Sequence, residues 1–462
     1  MEFNLTNLVV TIVKIIAILA WAYGLIWVLG HASRWIKIAG VVAAFLVIQI
    51  AITSFGPEGE IQILNNFDRG LLFQATAMAM VALGLNLIYG FNGQFSLAQW
   101  GFYGIGAYVA ADITFRWQNG DSRGLFIVAI VIGLGGLVIW LVGKLVKQYK
   151  GMPVLSAFTL YLVGMVAAGA VAVIVANALD PMLAPLLGTF QAPGVLNSPL
   201  AQQVIFFLAV LLAGAFSAGI SFMFGLPVLT LGSDYFGIAT LGFSIVIYTL
   251  MVNSDTILPF PEMKGGRGMV GIPQMKDMAW FWAFVFLVMV MIIMRNLIYS
   301  TTGRAIMSVR EDETAAKSMG IDVAGQKLLA FVVGSFFAGI GGAVYAHSTG
   351  TGFLSPGSFD FLAGFNPLII VVFGGLGSMS GTIAASFGWL FFLEGLLRVI
   401  LGQMGTEAPT WRFVLYPITL LLLMLLRPQG LLGTTEWGFL KAPFVKPRVK
   451  SQTGAATVTA GK

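Results

Sequence analysis

From Ala279 to Tyr299 the chain reads AWFWAFVFLVMVMIIMRNLIY, 21 residues with one charge, and apolar runs of this kind recur along most of its length. A helix needs about 20 apolar residues to cross roughly 30 Å of hydrocarbon. Candidate spans fall near residues 7–30, 38–55, 71–90, 94–113, 124–143, 151–176, 201–223, 226–253, 279–299, 326–346, 365–376, 382–401 and 411–426. The segment 365–376 is too short to cross at about 1.5 Å per residue, so it reads as a half-helix or re-entrant element. The expected fold is all-α: a polytopic transmembrane helical bundle with about 10–13 membrane segments, including short or discontinuous helices.

Charge content points the same way. Only 10% of the 462 residues are Asp, Glu, Lys or Arg, against roughly 25% in a soluble domain. A surface facing hydrocarbon is penalised for carrying charge. The 57 glycines suit close helix packing and broken helices around a pathway. With no cysteine, disulfides, iron–sulfur clusters and thiolate zinc sites are excluded, and His31 and His347 are too few for a histidine-based metal site. No metal and no cofactor is expected. The net charge of +6 comes from loops flanking the spans, which is a topology signal and not a nucleic-acid one. Neither Gly143-Lys144 nor Gly461-Lys462 completes a phosphate-binding loop. No cluster of catalytic His, Asp or Ser is visible, which argues against a multi-span membrane enzyme, and if ATP drives the chain another chain must hydrolyse it.

Met1 to Thr6 has no basic n-region, and the first apolar run reads as a retained span. Three regions follow: 1–65, an extra hydrophobic region with about two spans; 66–433, the main transmembrane domain; and 434–462, a basic, largely disordered tail. Lys and Arg concentrate in loops 31–37, 144–150 and 295–327 and after residue 427, which puts those loops and the C-terminus in the cytoplasm.

Three segments carry mechanism. The loop from Thr302 to Asp322 reads as one short, charged helix ended by Gly320, where glycine supplies the left-handed turn. Ala305, Val309, Ala316 and Met319 fall near one stripe of it; Arg304, Arg310, Glu311, Asp312, Glu313 and Lys317 cover the rest. Such a helix suits docking of a partner, and a solvated connector is the competing structural reading. Between residues 84 and 101, Asn86, Asn92, Gln94, Ser96 and Gln99 gather at a glycine-rich turn between two apolar runs. Buried amides and hydroxyls need partners or water, so these residues suggest a polar path or helix–helix bonding. The run Phe373 to Gly381 holds Gly374, Gly375, Gly377 and Gly381, as a discontinuous helix requires. It faintly echoes the turn at 90–104.

At these residues a family resemblance emerges. Leu85-Asn86-Leu87-Ile88 to Ala107-Tyr108, Leu231-Gly232-Ser233-Asp234-Tyr235-Phe236-Gly237 and the loop Gly303-Arg304 to Gly320-Ile321 resemble landmarks of the branched-chain amino acid ABC transporter permeases of LivM type. Gly374-Gly375-Leu376-Gly377-Ser378 and Arg427-Pro428-Gln429-Gly430-Leu431 complete the set in family order over about residues 70–433. The resemblance implies a multi-pass subunit of the bacterial inner membrane. It implies four kinds of partner: a second, LivH-type permease, two cytoplasmic ABC ATPase subunits, a periplasmic substrate-binding protein and membrane lipid. Gly303, Arg304, Arg310, Glu311, Asp312, Ala315, Ala316, Met319 and Gly320 then form the ATPase-coupling segment, although Thr314 stands where the general permease motif has Glu. Asn86, Asn92, Gln94, Ser96, Gln99, Gly374, Gly375 and Gly377 belong to the translocation pathway.

Within that family, urea, short amides or other small solutes compete with hydrophobic amino acids as cargo. A secondary transporter driven by an ion gradient is the reading from another class, with Asp234 or Glu394 as its intramembrane ion site. For Asp234, a helix cap before Tyr235 is the structural alternative, and His347 reads as interfacial.

Overall fold

Hydrocarbon offers backbone groups no partners, so each span must close its own hydrogen bonds. The computed structural model describes residues 33–52, 66–149, 154–189, 194–229, 233–257, 263–274, 279–348, 352–397 and most of 429–441, with stretches of one to three residues elsewhere. Its helices are α1 (Arg34–Ile52), α2 (Asn66–Leu85), α3 (Gln99–Gln118), α4 (Arg123–Gln148), α5 (Val154–Leu187), α6 (Pro199–Val228) and α7 (Ser233–Val252). They continue as α8 (Ala279–Ile298), α9 (Thr301–Glu311), α10 (Glu313–Ser318), α11 (Val323–Ala346), α12 (Phe365–Gly374) and α13 (Met379–Trp389). Among the described residues, seven helical stretches are long and apolar enough to cross a membrane, and shorter apolar helices such as Phe365–Gly374 and Met379–Phe392 accompany them. The chain is thus a multi-pass, all-α membrane bundle.

Helix α11 forms the centre, packed against α2, α3 and α6. Glycine makes that packing close. A methyl on Gly84 would stand 2.3 Å from the Gly334 carbonyl oxygen, and one on Gly106 would stand 2.1 Å from that of Gly339. Backbones meet directly there, which is how membrane helices gain van der Waals contact without a hydrophobic drive between them. Helices α4 and α5 pair as an outer hairpin with exposed Leu137, Trp140, Val163 and Ile174.

The helix ends sort onto two faces. One carries α9 and α10, the turn after α2, the α12–α13 turn and the segment 429–441. Leu431 N–H bonds the Phe373 carbonyl at 2.7 Å, and the Arg295 guanidinium bonds the Lys441 carbonyl at 3.0 Å. The opposite face carries the α3–α4 turn and a short antiparallel pair, β1 (Met269–Val270) with β2 (Phe353–Leu354). His347 lies at that end of α11 and is buried within the protein: its Nδ1 bonds the Ala343 carbonyl and its Nε2 lies 2.7 Å from the Thr114 hydroxyl. Asp234 falls inside the first turn of α7, not ahead of it, and its side chain lies outside the described residues, as does that of Glu394.

Candidate functional site

The segment expected as one helix is two. Asp312 turns extended (φ −159°, ψ 111°) and breaks the run between α9 and α10. Its carboxylate then accepts the backbone N–H of Thr314 at 2.8 Å and of Ala315 at 3.0 Å, capping α10. Ser300 caps α9 in the same manner through Gly303 N–H at 3.1 Å. Gly320 takes the left-handed conformation (φ 81°) expected of it, and Ile321 N–H returns to the Ala316 carbonyl.

The two short helices show one face to the bundle and one to solvent. Gly303, Ile306, Val309 and Ala316 are buried; Arg304, Glu311, Asp312, Ala315 and Gly320 are exposed, and Met319 is 83% exposed. A methyl on Gly303 would stand 2.1 Å from the Leu297 carbonyl oxygen, so this glycine lets α9 start tight against the end of α8. Arg304 reaches back to the Tyr299 carbonyl. Lys327 at the start of α11 bonds the Glu313 carboxylate and holds α10 to the bundle, a pairing the sequence pattern does not reveal.

Arg310 departs from the expectation of a purely outward docking contact. One guanidinium nitrogen donates to the Gly90 carbonyl, in the turn that follows α2, while the residue as a whole remains exposed. That turn is a wide π-type helix, Asn86–Phe91, in which Asn92 N–H bonds the Leu87 carbonyl at 3.2 Å. Single π turns inside helices are rare and cluster at functional sites.

Asn86 is fully buried and fully partnered. Its Oδ1 accepts Gly377 N–H at 2.9 Å, and its Nδ2 donates to the Ser378 carbonyl at 2.9 Å and to the Thr382 hydroxyl at 2.8 Å. Asn86 therefore joins the two glycine-rich turns. Gly375 (φ 115°) and Gly377 (φ 82°) both need conformations that side-chain-bearing residues avoid. Gly374 packs on Gly381, where a methyl would stand 2.4 Å from the carbonyl oxygen. Helix α12 spans only ten residues, Phe365–Gly374, the half-length element the sequence suggested.

The other polar residues spread from this junction into the bundle. Asn92 Nδ2 donates to Gln94 Oε1 at 2.9 Å, and Ser96 Oγ accepts Ala98 N–H at 3.3 Å. Gln99 Nε2 reaches Ser335 on α11 at 3.5 Å. Thr240 and Ser244 of α7 hold both backbone groups of Leu97, at 3.1 and 2.8 Å. Ser378, Thr382, Thr240, Ser244 and Glu436 also belong to this assembly, and isolated Ser, Thr or Glu in a sequence carries no signal for such contacts. Among the described residues no group of three or more His, Cys, Asp or Glu could hold a metal ion.

Comparison with known proteins agrees with this architecture. A family model described as "Branched-chain amino acid transport system / permease component" matches residues 69–168 and 149–425. The chain is 28% identical to the high-affinity branched-chain amino acid transport system permease protein LivM of Escherichia coli over 73% of its own length and 72% of the relative's. It is 23% identical to a probable LivM of Methanocaldococcus jannaschii, covering 66% of this chain and 90% of that one. The permease protein LivH of Salmonella typhimurium matches at 26% over 54% of this chain and 80% of the relative. No solved structure matches.

Proposed function

The chain belongs to the family of branched-chain amino acid transport system permease components, and from that membership we propose that it forms half of an import pathway for branched-chain or other hydrophobic amino acids, driven by a separate ATPase. The observation that carries this reading is the α9–α10 pair. It is exposed and charged on one side, and on the other Arg310 bonds it to the turn after α2, which Asn86 joins to the second glycine turn.

Basic residues support the orientation. Arg295, Arg304, Lys317, Lys327 and Lys441 lie on or beside α9 and α10, and the positive-inside tendency assigns such a face to the cytoplasm. In this reading the C-terminus is cytoplasmic as well. Two ATPase subunits would dock there, one against Arg304, Glu311, Ala315 and Met319. A second permease related to LivH would complete the pathway, and a periplasmic binding protein would deliver cargo to the opposite face. Residues 66–433 form the permease domain in this reading, with 1–65 an added hydrophobic region and 434–462 a tail. ATP-driven approach of the ATPase subunits moves the docked helices, and the bundles rock about their glycine breaks.

The test is uptake of labelled leucine by vesicles containing the chain with its co-purifying partners. ATP-dependent uptake that survives dissipation of ion gradients is the expected result. Uptake by the chain alone on an ion gradient would instead identify a secondary transporter.

A further inference from the structure

The end of α9 meets both glycine turns at one point. Arg310 donates to the Gly90 carbonyl, its aliphatic stem lies 3.2 Å from where a side chain on Gly93 would begin, and its Nη1 lies 3.1 Å from the same position on Gly377. The Gly90 carbonyl is left for Arg310 by the local fold. The N–H groups of Asn92, Gly93 and Gln94 go to the carbonyls of Leu87, Tyr89 and Ile88. Asn86, four residues before Gly90, then fixes the α12–α13 turn through Gly377, Ser378 and Thr382. A buried carbonyl bonded by a guanidinium and a fully satisfied buried amide are stiff links, because either one broken leaves polar groups orphaned.

We propose that Arg310 is a positioning residue for energy coupling: it passes displacement of the docking helices through the Gly90 carbonyl and Asn86 to the two glycine turns of the pathway, and does not itself anchor the ATPase. The proposal rests on the transport reading above. It separates the two short helices into an outward docking part around Met319 and an inward transmitting part at Arg310. The break at the extended Asp312 lets α9 end with Arg310 on the Gly90 carbonyl while α10 buries Ala316 and leaves Met319 in solvent.

The chain has no cysteine, so a single Phe95→Cys reporter in the connector beyond Gly93 can be labelled specifically. Phe95 is 39% exposed. In the purified complex with its ATPase, Arg310→Met is expected to retain the bound ATPase. Leucine uptake per ATP hydrolysed should fall about tenfold, the scale of one hydrogen bond to a charged group. The ATP-dependent change in maleimide labelling at residue 95 should disappear, and Arg310→Lys should restore part of both. Unchanged uptake per ATP and unchanged labelling in Arg310→Met would overturn the proposal. Loss of the ATPase from the complex would also overturn it, making Arg310 a docking contact. Should Arg310→Met fail to insert, Arg310→Ala, which likewise removes the donor, decides by the same two readouts, full wild-type coupling being the adverse result. A wild-type complex that contains no ATPase would bring down the transport reading itself.

Discussion

The Glu436 carboxylate accepts both the backbone N–H of Ser380, at 3.0 Å, and the Ser380 hydroxyl, across 56 residues of sequence. Its other oxygen takes Met379 N–H at 2.7 Å, so an acid from the C-terminal segment caps the amino end of α13. A carboxylate there is favoured by the helix dipole and satisfies orphan donors. Glu436→Ala is expected to cost about 1–2 kcal/mol and to free the 429–441 segment for proteolysis, with Glu436→Gln losing less. Thermal unfolding and limited proteolysis in detergent measure both effects. Wild-type values for Glu436→Ala would show that the cap adds nothing.

Asn86 makes three hydrogen bonds that no apolar residue can replace. Asn86→Leu fits roughly the same volume but strands Gly377 N–H and removes the donors to Ser378 and Thr382. Each buried orphan costs about 1–3 kcal/mol, so a loss of roughly 2–4 kcal/mol is expected. Asn86→Asp keeps the acceptor for Gly377 but presents oxygen to the Ser378 carbonyl, and it should be as poor. Denaturant titration of the purified variants decides, and wild-type stability in both would contradict the clamp.

Much of this architecture was legible beforehand, because apolar length and glycine clustering act locally. The half-helix α12, the left-handed Gly320 and the buried hydrogen bonding of Asn86 all follow from residue type and spacing. Orientation of individual side chains did not follow. Val309 and Ala316 share a stripe with Met319 in the linear pattern, yet the break at Asp312 turns Ala316 inward and leaves Met319 in solvent. Glu436 and Lys327 were invisible for another reason: their partners, Ser380 and Glu313, are set by tertiary packing and not by sequence neighbours.

That division of the stripe is itself testable. Ala316 is 4% exposed, so Ala316→Met must force extra volume into a packed contact and is expected to lower stability by about 1–3 kcal/mol. Met319, 83% exposed, touches little in the chain. Met319→Ala should therefore leave the unfolding midpoint within about 1 °C while weakening ATPase retention several-fold, since a surface site away from special features moves stability little. Thermal scans paired with quantitative co-purification separate the two effects. If Met319→Ala destabilised the isolated chain, the docking assignment would lose its basis.

On the opposite face Asp121 sits in the α3–α4 turn between two guanidinium groups. It accepts from Arg123 Nη2 at 2.7 Å, Arg123 N–H at 2.8 Å and Arg116 Nη1 at 3.1 Å. Burial alone would raise its pKa, but the hydrogen bonds from Arg123 and the charges of Arg116 and Arg123 outweigh burial and hold it below the ordinary value, about 4 for aspartate. A carboxyl depressed in the folded state stabilises the fold above its unfolded pKa, and that contribution is lost as pH falls through the folded value. Wild type should thus lose stability as the pH falls below about 4, the ordinary aspartate value. Asp121→Asn, which cannot ionise, should start lower at pH 6 and fall less, so that the two unfolding curves converge in acid. Parallel curves over that range would mean the Arg116–Asp121–Arg123 cluster contributes no pH-dependent stability.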